Sequence, residues 1–251
     1  METPSKVIVV VPTYNERENL TRLTAELFDL PVPALEILVV DDNSPDGTGK
    51  LADELAAKDK RIHVIHRQSK MGLGTAYIQG FDWALKQGAA VIVQMDADFS
   101  HSPKYIPTML AATANCDVVA GSRYTSGGKL DERWSVWRKL LSWWANSVWV
   151  RLILGTEVRD ATGGFRAWKR DTVIGMNLAQ VRSNGYVFQV EIAYLAERLG
   201  YHFSEVPIYF EDRRLGTSKM GIGIQLEAAL GVLRIWRRFH SFTPANRAVV
   251  T

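Results

Sequence analysis

Cysteine is nearly absent from this chain: among 251 residues only Cys116 carries a thiol. That excludes an internal disulfide and a multi-cysteine metal centre, and it suits a reducing compartment. No run of about 18 uncharged apolar residues occurs, so no membrane-spanning helix is expected. The opening Met1-Glu-Thr-Pro-Ser-Lys6 lacks the basic-then-apolar order of a signal peptide. Glycine-rich phosphate loops are missing too. The first apolar run is followed by Pro12-Thr-Tyr-Asn-Glu16 in place of G-x-G-x-x-G, and Gly72-Leu-Gly74 meets its next glycine only at Gly80. No G-x-x-x-x-G-K-[ST] stretch is present, so dinucleotide-dependent hydride transfer and P-loop phosphoryl transfer are both set aside. Repeats and low-complexity tracts are also lacking.

What remains is a chain of the right length for one large α/β domain, or a domain with a C-terminal extension. Its 47% hydrophobic content is ample for a packed core. The net charge of +3 is unevenly spread. Residues 1–60 hold 12 acids against 6 Lys and Arg, whereas residues 123–151 hold 6 basic against 2 acidic and residues 213–247 hold 7 against 1. Either the later segments carry ordinary solvated faces, or they meet something anionic.

The pattern alternates strands and helices. Val7-Ile-Val-Val-Val11 is a continuous β-branched run, expected as a strand buried on both faces. A helix is predicted over 17–30, a strand over 36–40, a helix over 48–58, a strand over 62–65 and a helix from Lys70 to Lys86. The next strand is Val91-Ile-Val-Gln-Met95, and a fifth covers 117–124 with the basic Arg123 at its end. Such alternation implies parallel pairing through right-handed crossovers, with ligands at the carboxyl ends of the strands. Three polar clusters fall there: 12–16, 41–46 and Asp96-Ala97-Asp98. Two carboxylates separated by one small residue at a strand end can share Mg²⁺ or Mn²⁺, hard cations usually held by carboxylates together with substrate phosphates. Taken alone the pair also suits a plain polar turn.

Further along, residues 125–129 are expected to form a flexible loop, and 134–154 a helix with five tryptophans in sixteen residues. At 100° per residue Trp137, Leu140, Leu141, Trp144, Val148 and Leu152 form one stripe, while Arg138, Ser142 and Asn146 lie on the opposite side. The stripe fits a core-facing helix or a helix lying in a membrane interface. Asp160 opens a turn through Gly163-Gly164 into a short strand, a helix starts near Tyr186, and a strand is predicted over 204–210. A polar loop (212–220) precedes a second amphipathic helix (222–239) ending in Arg234, Arg237 and Arg238. Those cations complement the helix dipole or serve an anionic surface. The tail, 244–251, is expected to be disordered.

With these residues in view, the chain resembles the polyprenol-phosphate (dolichol-phosphate) mannose synthases of glycosyltransferase family 2. Seven stretches carry the resemblance: Pro12-Thr-Tyr-Asn-Glu-Arg-Glu-Asn-Leu20, Asp41-Asp-Asn-Ser-Pro-Asp-Gly-Thr48, Gly72-Leu-Gly-Thr-Ala-Tyr77, Asp96-Ala-Asp-Phe-Ser-His101, Gly121-Ser-Arg-Tyr124, Gly185-Tyr-Val-Phe-Gln189 and Gly216-Thr-Ser-Lys219. The resemblance implies a GT-A fold, α/β with a mostly parallel Rossmann-like sheet. It implies a catalytic domain over 1–220, a C-terminal amphipathic helix and tail over 221–251, and no transmembrane domain. The implied activity is that of a polyprenyl-phosphate β-D-mannosyltransferase: transfer of mannose from GDP-mannose to polyprenyl or dolichyl phosphate with inversion. Pro12, Tyr14, Glu16, Val40 and Asp42 would hold the nucleoside. Asp96 and Asp98 would bind Mg²⁺ or Mn²⁺ on the diphosphate, with Ala97 alongside and Ser100 at a position that supplies a further ligand in some members. Arg123, Arg213 and Lys219 match basic residues at the phosphates, and Arg138 with Ser142 matches the proposed acceptor-phosphate site. Asp98, Arg123 and Arg138 are the residues expected to carry catalysis.

The chemistry of such an acceptor agrees. A phosphate monoester has its second pKa near 6 and is mostly dianionic at pH 7, so it needs no general base. Asp160 would touch the acceptor or brace the glycine turn. The resemblance further implies a cytoplasmic location, peripheral on the cytoplasmic face of a membrane, with no nucleic-acid partner and no obligatory protein subunit. A UDP-glucose-dependent polyprenyl-phosphate glucosyltransferase and a non-catalytic nucleotide-sugar binding protein stand as rivals. A processive polysaccharide synthase is disfavoured, since no Gln-x-x-Arg-Trp motif occurs.

Overall fold

The computed structural model describes residues 5–211 and 222–249; the side chains of Arg138, Ser147, Tyr186 and residues 222–228 lie outside that description. Parallel strands β1 (Val7–Thr13), β2 (Leu35–Asp41), β3 (Ile62–His66) and β4 (Val91–Gln94) alternate with helices α1 (Arg17–Phe28), α2 (Thr48–Lys58) and α3 (Leu73–Lys86). Helix α4 (Ile106–Ala112) leads to β5 (Val118–Ser122), and a short β6 (Lys129–Leu130) follows. Helix α5 (Val136–Trp143) continues through a π-helical segment (Trp144–Val150) into α6 (Arg151–Leu154). The chain then forms β7 (Arg166–Lys169), α7 (Arg170–Met176), α8 (Gly185–Arg198), β8 (Phe203–Pro207), β9 (Tyr209–Phe210) and α9 (Ile222–Phe239).

The main sheet runs β3-β2-β1-β4-β7-β5-β8. Strand β7 is antiparallel to both neighbours, so the sheet is mostly rather than wholly parallel. The continuous apolar runs have a simple cause: side chains alternate between two covered faces. Ile8 and Val10 join the core beneath α3 and α8, whereas Val7, Val9 and Val11 join the core beneath α1 and α4. Each such fully buried side chain contributes about 1.5–3 kcal/mol. Helix α3 approaches β1 closely because Gly80 faces it; a Cβ there would lie 2.3 Å from Val10 Cγ1.

Several expectations change. Residues 125–129 do not all form a loop: Lys129 starts β6, which pairs parallel with β9, Lys129 opposite Tyr209 and Leu130 opposite Phe210. The strand predicted over 204–210 is broken at Ile208, so its halves pair in different sheets. The tail is ordered through residue 249: Arg247 donates from Nε to Leu199 O at 2.7 Å, and Ala248 N–H donates to Gly175 O at 2.9 Å. Sequence polarity gave no sign of those backbone acceptors. The core-facing reading of the tryptophan stripe also fails. Trp137 is 73% and Leu152 76% exposed, with Leu140 and Trp144 half exposed, while Asn146 on the polar side is buried. This helix turns its apolar stripe outward. On α9, Val232, Ile235 and Phe239 enter the main core while Leu230 and Trp236 stay exposed.

Candidate active site

Strands β2, β1 and β4 are neighbours in parallel register, so their terminal turns form one row. Each turn holds one residue in the left-handed backbone region: Asn15 (φ 64), Asn43 (φ 56) and Phe99 (φ 62). Asparagine tolerates that conformation; a buried phenylalanine adopts it at a cost of about 1–3 kcal/mol, the kind of strain that collects at working sites. At Phe99 the turn brings Ser100 back, so that its N–H (3.1 Å) and hydroxyl (2.6 Å) both donate to Asp98 Oδ1.

The turn after β1 is tied to the turn after β2. Asn15 N–H donates to Ser44 Oγ at 3.1 Å and Glu16 N–H to Thr48 Oγ1 at 3.0 Å. Asp41 is consumed internally, accepting from Thr13 Oγ1, Ser44 N–H and Ser44 Oγ at 2.5–3.0 Å. Asp42 instead meets Arg67, whose buried Nη1 donates to Oδ1 at 2.6 Å while Nη2 donates to Thr75 Oγ1 at 2.5 Å. Pro12, Tyr14 and Glu16 are partly exposed along this row, and Val40 is buried beneath it. The Lys70 ammonium sits 3.8 Å over the Tyr14 ring. The Glu16 carboxylate accepts from Asn19 Nδ2 at 2.8 Å.

Asp96, Ala97 and Asp98 follow β4 directly, Ala97 and Asp98 buried and the Asp96 side chain 30% exposed. Tyr77 donates its hydroxyl to Asp96 Oδ1 at 2.7 Å. The Asp96 N–H donates to His101 Nδ1 at 3.1 Å, so that nitrogen is not available as a metal ligand. Two carboxylates form an all-oxygen donor set, and among the described residues no group of three His, Cys, Asp or Glu side chains is placed to enclose an ion. Carboxylate oxygens of this kind suit Mg²⁺ or Mn²⁺, which complete their shells with water and substrate phosphates.

Arg123 follows β5 and is held as a fork. Nε donates to Asp160 Oδ2 at 2.8 Å, Nη2 to Asp160 Oδ1 at 2.7 Å, and Nη2 also to Thr162 Oγ1 at 2.8 Å. Burial favours the neutral form of each partner, but the ion pair outweighs it: Arg123 is held above the ordinary guanidinium value and Asp160 below the usual carboxylate range. Buried Arg166 donates instead to the Gln189 and Ala161 carbonyls, and burial brings it down to about 10 against the opposing pull of Asp160, Glu197 and Glu205.

These groups share neighbours. The His101 ring stacks on Phe165 (5.2 Å) and meets Phe210 edge-on (5.9 Å), while the Arg123 guanidinium lies 5.0 Å over the same Phe210. Next to Arg123, the Tyr124 hydroxyl lies 2.7 Å from Ser142 Oγ on α5. A contact path thus runs from Asp96 to Ser142. In the π segment Asn146 donates to Arg159 O and accepts from Thr162 N–H at 3.2 Å, clamping the loop that carries Asp160. Arg138 lies on α5, four residues before Ser142, but its side chain falls outside the described residues, as do Arg213 and Lys219 entirely. Sequence reasoning missed Arg67, for which no motif gave a signal, and assigned no role to Tyr77 and His101, although both lie in motifs it singled out.

The family model described as glycosyl transferase family 2 matches residues 8–174. Among curated relatives, undecaprenyl-phosphate mannosyltransferase of Micrococcus luteus is 47% identical over 91% of this chain and 93% of its own length. Polyprenol monophosphomannose synthase of Mycolicibacterium smegmatis is 44% identical over 92% and 86%. Among solved structures, mannosyltransferase PcManGT from Pyrobaculum calidifontis, in complex with GDP-Man and Mn²⁺, aligns with a TM-score of 0.60 at 17% identity, covering 94% of this chain and 64% of that one. Glucosyl-3-phosphoglycerate synthase from Mycobacterium tuberculosis, with Mn²⁺, UDP-glucose and phosphoglyceric acid, gives 0.61 at 15% identity, covering 94% and 80%. These structures share the GT-A architecture with this chain, and by sequence the chain belongs to glycosyl transferase family 2.

Proposed function

We propose that this chain transfers mannose from GDP-mannose to a polyprenyl monophosphate, releasing GDP and inverting the anomeric carbon. A phosphate oxygen of the acceptor forms the new bond to C1 as the bond from C1 to the GDP β-phosphate oxygen breaks, and the leaving electron pair stays on GDP. The acceptor arrives ionised, so no side chain has to remove a proton. Catalysis reduces to positioning two anions and neutralising the leaving diphosphate.

The observation that carries this reading is the acidic pair at the end of β4, in contact through shared neighbours with Arg123 and Ser142. Asp96 and Asp98 would hold Mg²⁺ or Mn²⁺, which when bound offsets charge on the diphosphate. Ser100 orients Asp98 through its hydroxyl. Asp42, Tyr14, Pro12, Glu16 and Val40 hold the nucleoside, and Arg123, Arg213 and Lys219 the phosphates. Arg138 and Ser142 receive the acceptor head group, a guanidinium fork beside a hydroxyl. The two relatives at 44–47% identity are named for the same acceptor class, which supports the choice of sugar and lipid.

The outward tryptophan stripe and the exposed Leu230 and Trp236 of α9 give the enzyme a surface for lying on a bilayer at its cytoplasmic face. No helix among the described residues is long and apolar enough to cross a membrane. The test offers radiolabelled GDP-mannose, UDP-glucose and UDP-N-acetylglucosamine, each with polyprenyl phosphates of two lengths, with and without chelator. Label should enter the lipid phosphate only from GDP-mannose and only without chelator. Transfer from UDP-glucose, or to an unphosphorylated prenol, would overturn the reading.

A further inference from the structure

We propose that Tyr77 and His101 are positioning residues for Asp96, fixing its carboxylate in the orientation that receives the divalent cation. The inference rests on the reading of Asp96 and Asp98 as that cation's protein ligands.

Asp96 sits on a partly exposed turn, where an unconstrained carboxylate rotates through many orientations. Here both ends of the residue are held. The Tyr77 hydroxyl donates to Oδ1 at 2.7 Å, and His101 Nδ1 accepts the backbone N–H at 3.1 Å. Neither holder can easily move. Tyr77 is fully buried, its ring parallel to Phe188 at 6.0 Å and tilted against Phe81 at 5.9 Å, and the His101 ring is stacked on Phe165 at 5.2 Å. Tyr77 engages Oδ1, so Oδ2, which lies 3.9 Å from His101 Nδ1, is the oxygen that would face a cation.

The helix that carries Tyr77 gives this arrangement a wider meaning. The first turn of α3 also receives Arg67, through Thr75 Oγ1 at 2.5 Å and Gly72 O at 3.3 Å, and Arg67 holds Asp42. Gly72-Leu-Gly-Thr-Ala-Tyr77 therefore connects the nucleoside-side carboxylate to the diphosphate-side carboxylate through one rigid element. A hydrogen bond of this kind behind a metal ligand is typically worth 10- to 100-fold in metal affinity.

The test measures Mn²⁺ binding by electron paramagnetic resonance with GDP present, on the full chain, Tyr77→Phe, His101→Phe and Asp98→Asn. Tyr77→Phe deletes one oxygen and should weaken Mn²⁺ binding about 10-fold. GDP affinity without metal should be unchanged, and saturating Mn²⁺ should restore turnover. His101→Phe keeps a ring against Phe165 but cannot accept the Asp96 N–H, and it should shift Mn²⁺ affinity in the same direction. If either variant fails to fold, the other decides. Unchanged Mn²⁺ affinity overturns the proposal, and so does an equal loss of metal-free GDP binding, which marks general packing. If the wild-type chain binds Mn²⁺ no better than Asp98→Asn, the acidic pair is not the cation site and both readings fall.

Discussion

Arg123 and Asp160 meet edge to edge, two parallel N–H···O contacts of 2.8 and 2.7 Å closing a fork, with the Arg123 backbone N–H adding a third at 2.9 Å. Asp160 is completely buried, so its carboxylate is at no point presented to solvent. It holds the Arg123 guanidinium, a role that neither alternative named in the sequence reading, acceptor contact or a brace for the glycine turn, had included.

The pH dependence of that brace follows from the directions of its shifts. Asp160 is depressed in the folded state, so its contribution is present above the ordinary carboxylate value and lost as pH falls through the lower, folded one. Arg123 is raised, so its contribution is present throughout the accessible range below the ordinary guanidinium value. Asp160→Asn leaves a buried cation unpaired and should cost about 3–5 kcal/mol at neutral pH. Urea unfolding of wild type and Asp160→Asn should show that gap constant down to about pH 4 and narrowing below it. A gap that widens in acid would contradict the assignment.

Arg67 makes the corresponding prediction on the nucleoside side. Arg67→Met frees the Asp42 carboxylate that now accepts at 2.6 Å. The KM for the donor should rise about 10-fold with kcat nearly constant, the pattern expected when ground-state and transition-state binding are lost together. Steady-state kinetics at fixed acceptor reads this directly; a fall in kcat at constant KM would place Arg67 elsewhere in the reaction.

Helix α3 can be displaced without touching a polar group. At Gly80 an added methyl would lie 2.3 Å from Val10 Cγ1. Gly80→Ala should therefore cost about 1–3 kcal/mol of stability through overpacking. Because α3 also carries Tyr77, Mn²⁺ affinity should fall in parallel, which thermal unfolding and metal titration of the same variant would check.

The outward stripe predicts membrane behaviour. Trp137→Glu combined with Leu152→Glu removes two of its most exposed apolar groups, each worth about 2 kcal/mol when buried in lipid. Co-sedimentation with anionic vesicles should fall by more than about 10-fold at any salt. Arg237→Glu should weaken sedimentation mainly at low salt, where surface charge is least screened. Arg238 should matter for a different reason, since its Nη1 donates to the buried carboxylate of Glu191 at 2.7 Å and so anchors α9 to α8. Sedimentation unchanged in the double variant would remove the stripe from the docking surface.

Much of the fold was legible beforehand because its signals are local. A β-branched run such as 7–11 states that both its faces are covered, and three polar turns following such runs mark the strand ends that the fold brings into one row. The acidic pair, the helix of residues 48–58 and the amphipathic character of residues 222–239 all came from spacing alone. The broken strand near Ile208 and the ordered tail were not legible. Their partners, β6 for Tyr209 and Phe210 and the Leu199 and Gly175 carbonyls for Arg247 and Ala248, are distant in sequence, and no local pattern encodes a distant acceptor.

The residue types and their order thus determined by themselves an α/β chain with carboxylates at the strand ends, because periodicity and turn chemistry act over a few residues. Only the tertiary structure decided which groups hold those carboxylates. Tyr77 reaches Asp96 across 19 positions, Arg67 reaches Asp42 across 25, and Asp160 reaches Arg123 across 37. It also decided that the tryptophan stripe faces outward, since an apolar helical face looks the same in sequence whether it covers a core or a membrane. Its direction was set on the opposite side of the helix, where buried Asn146 is tied to the loop of residues 159–162.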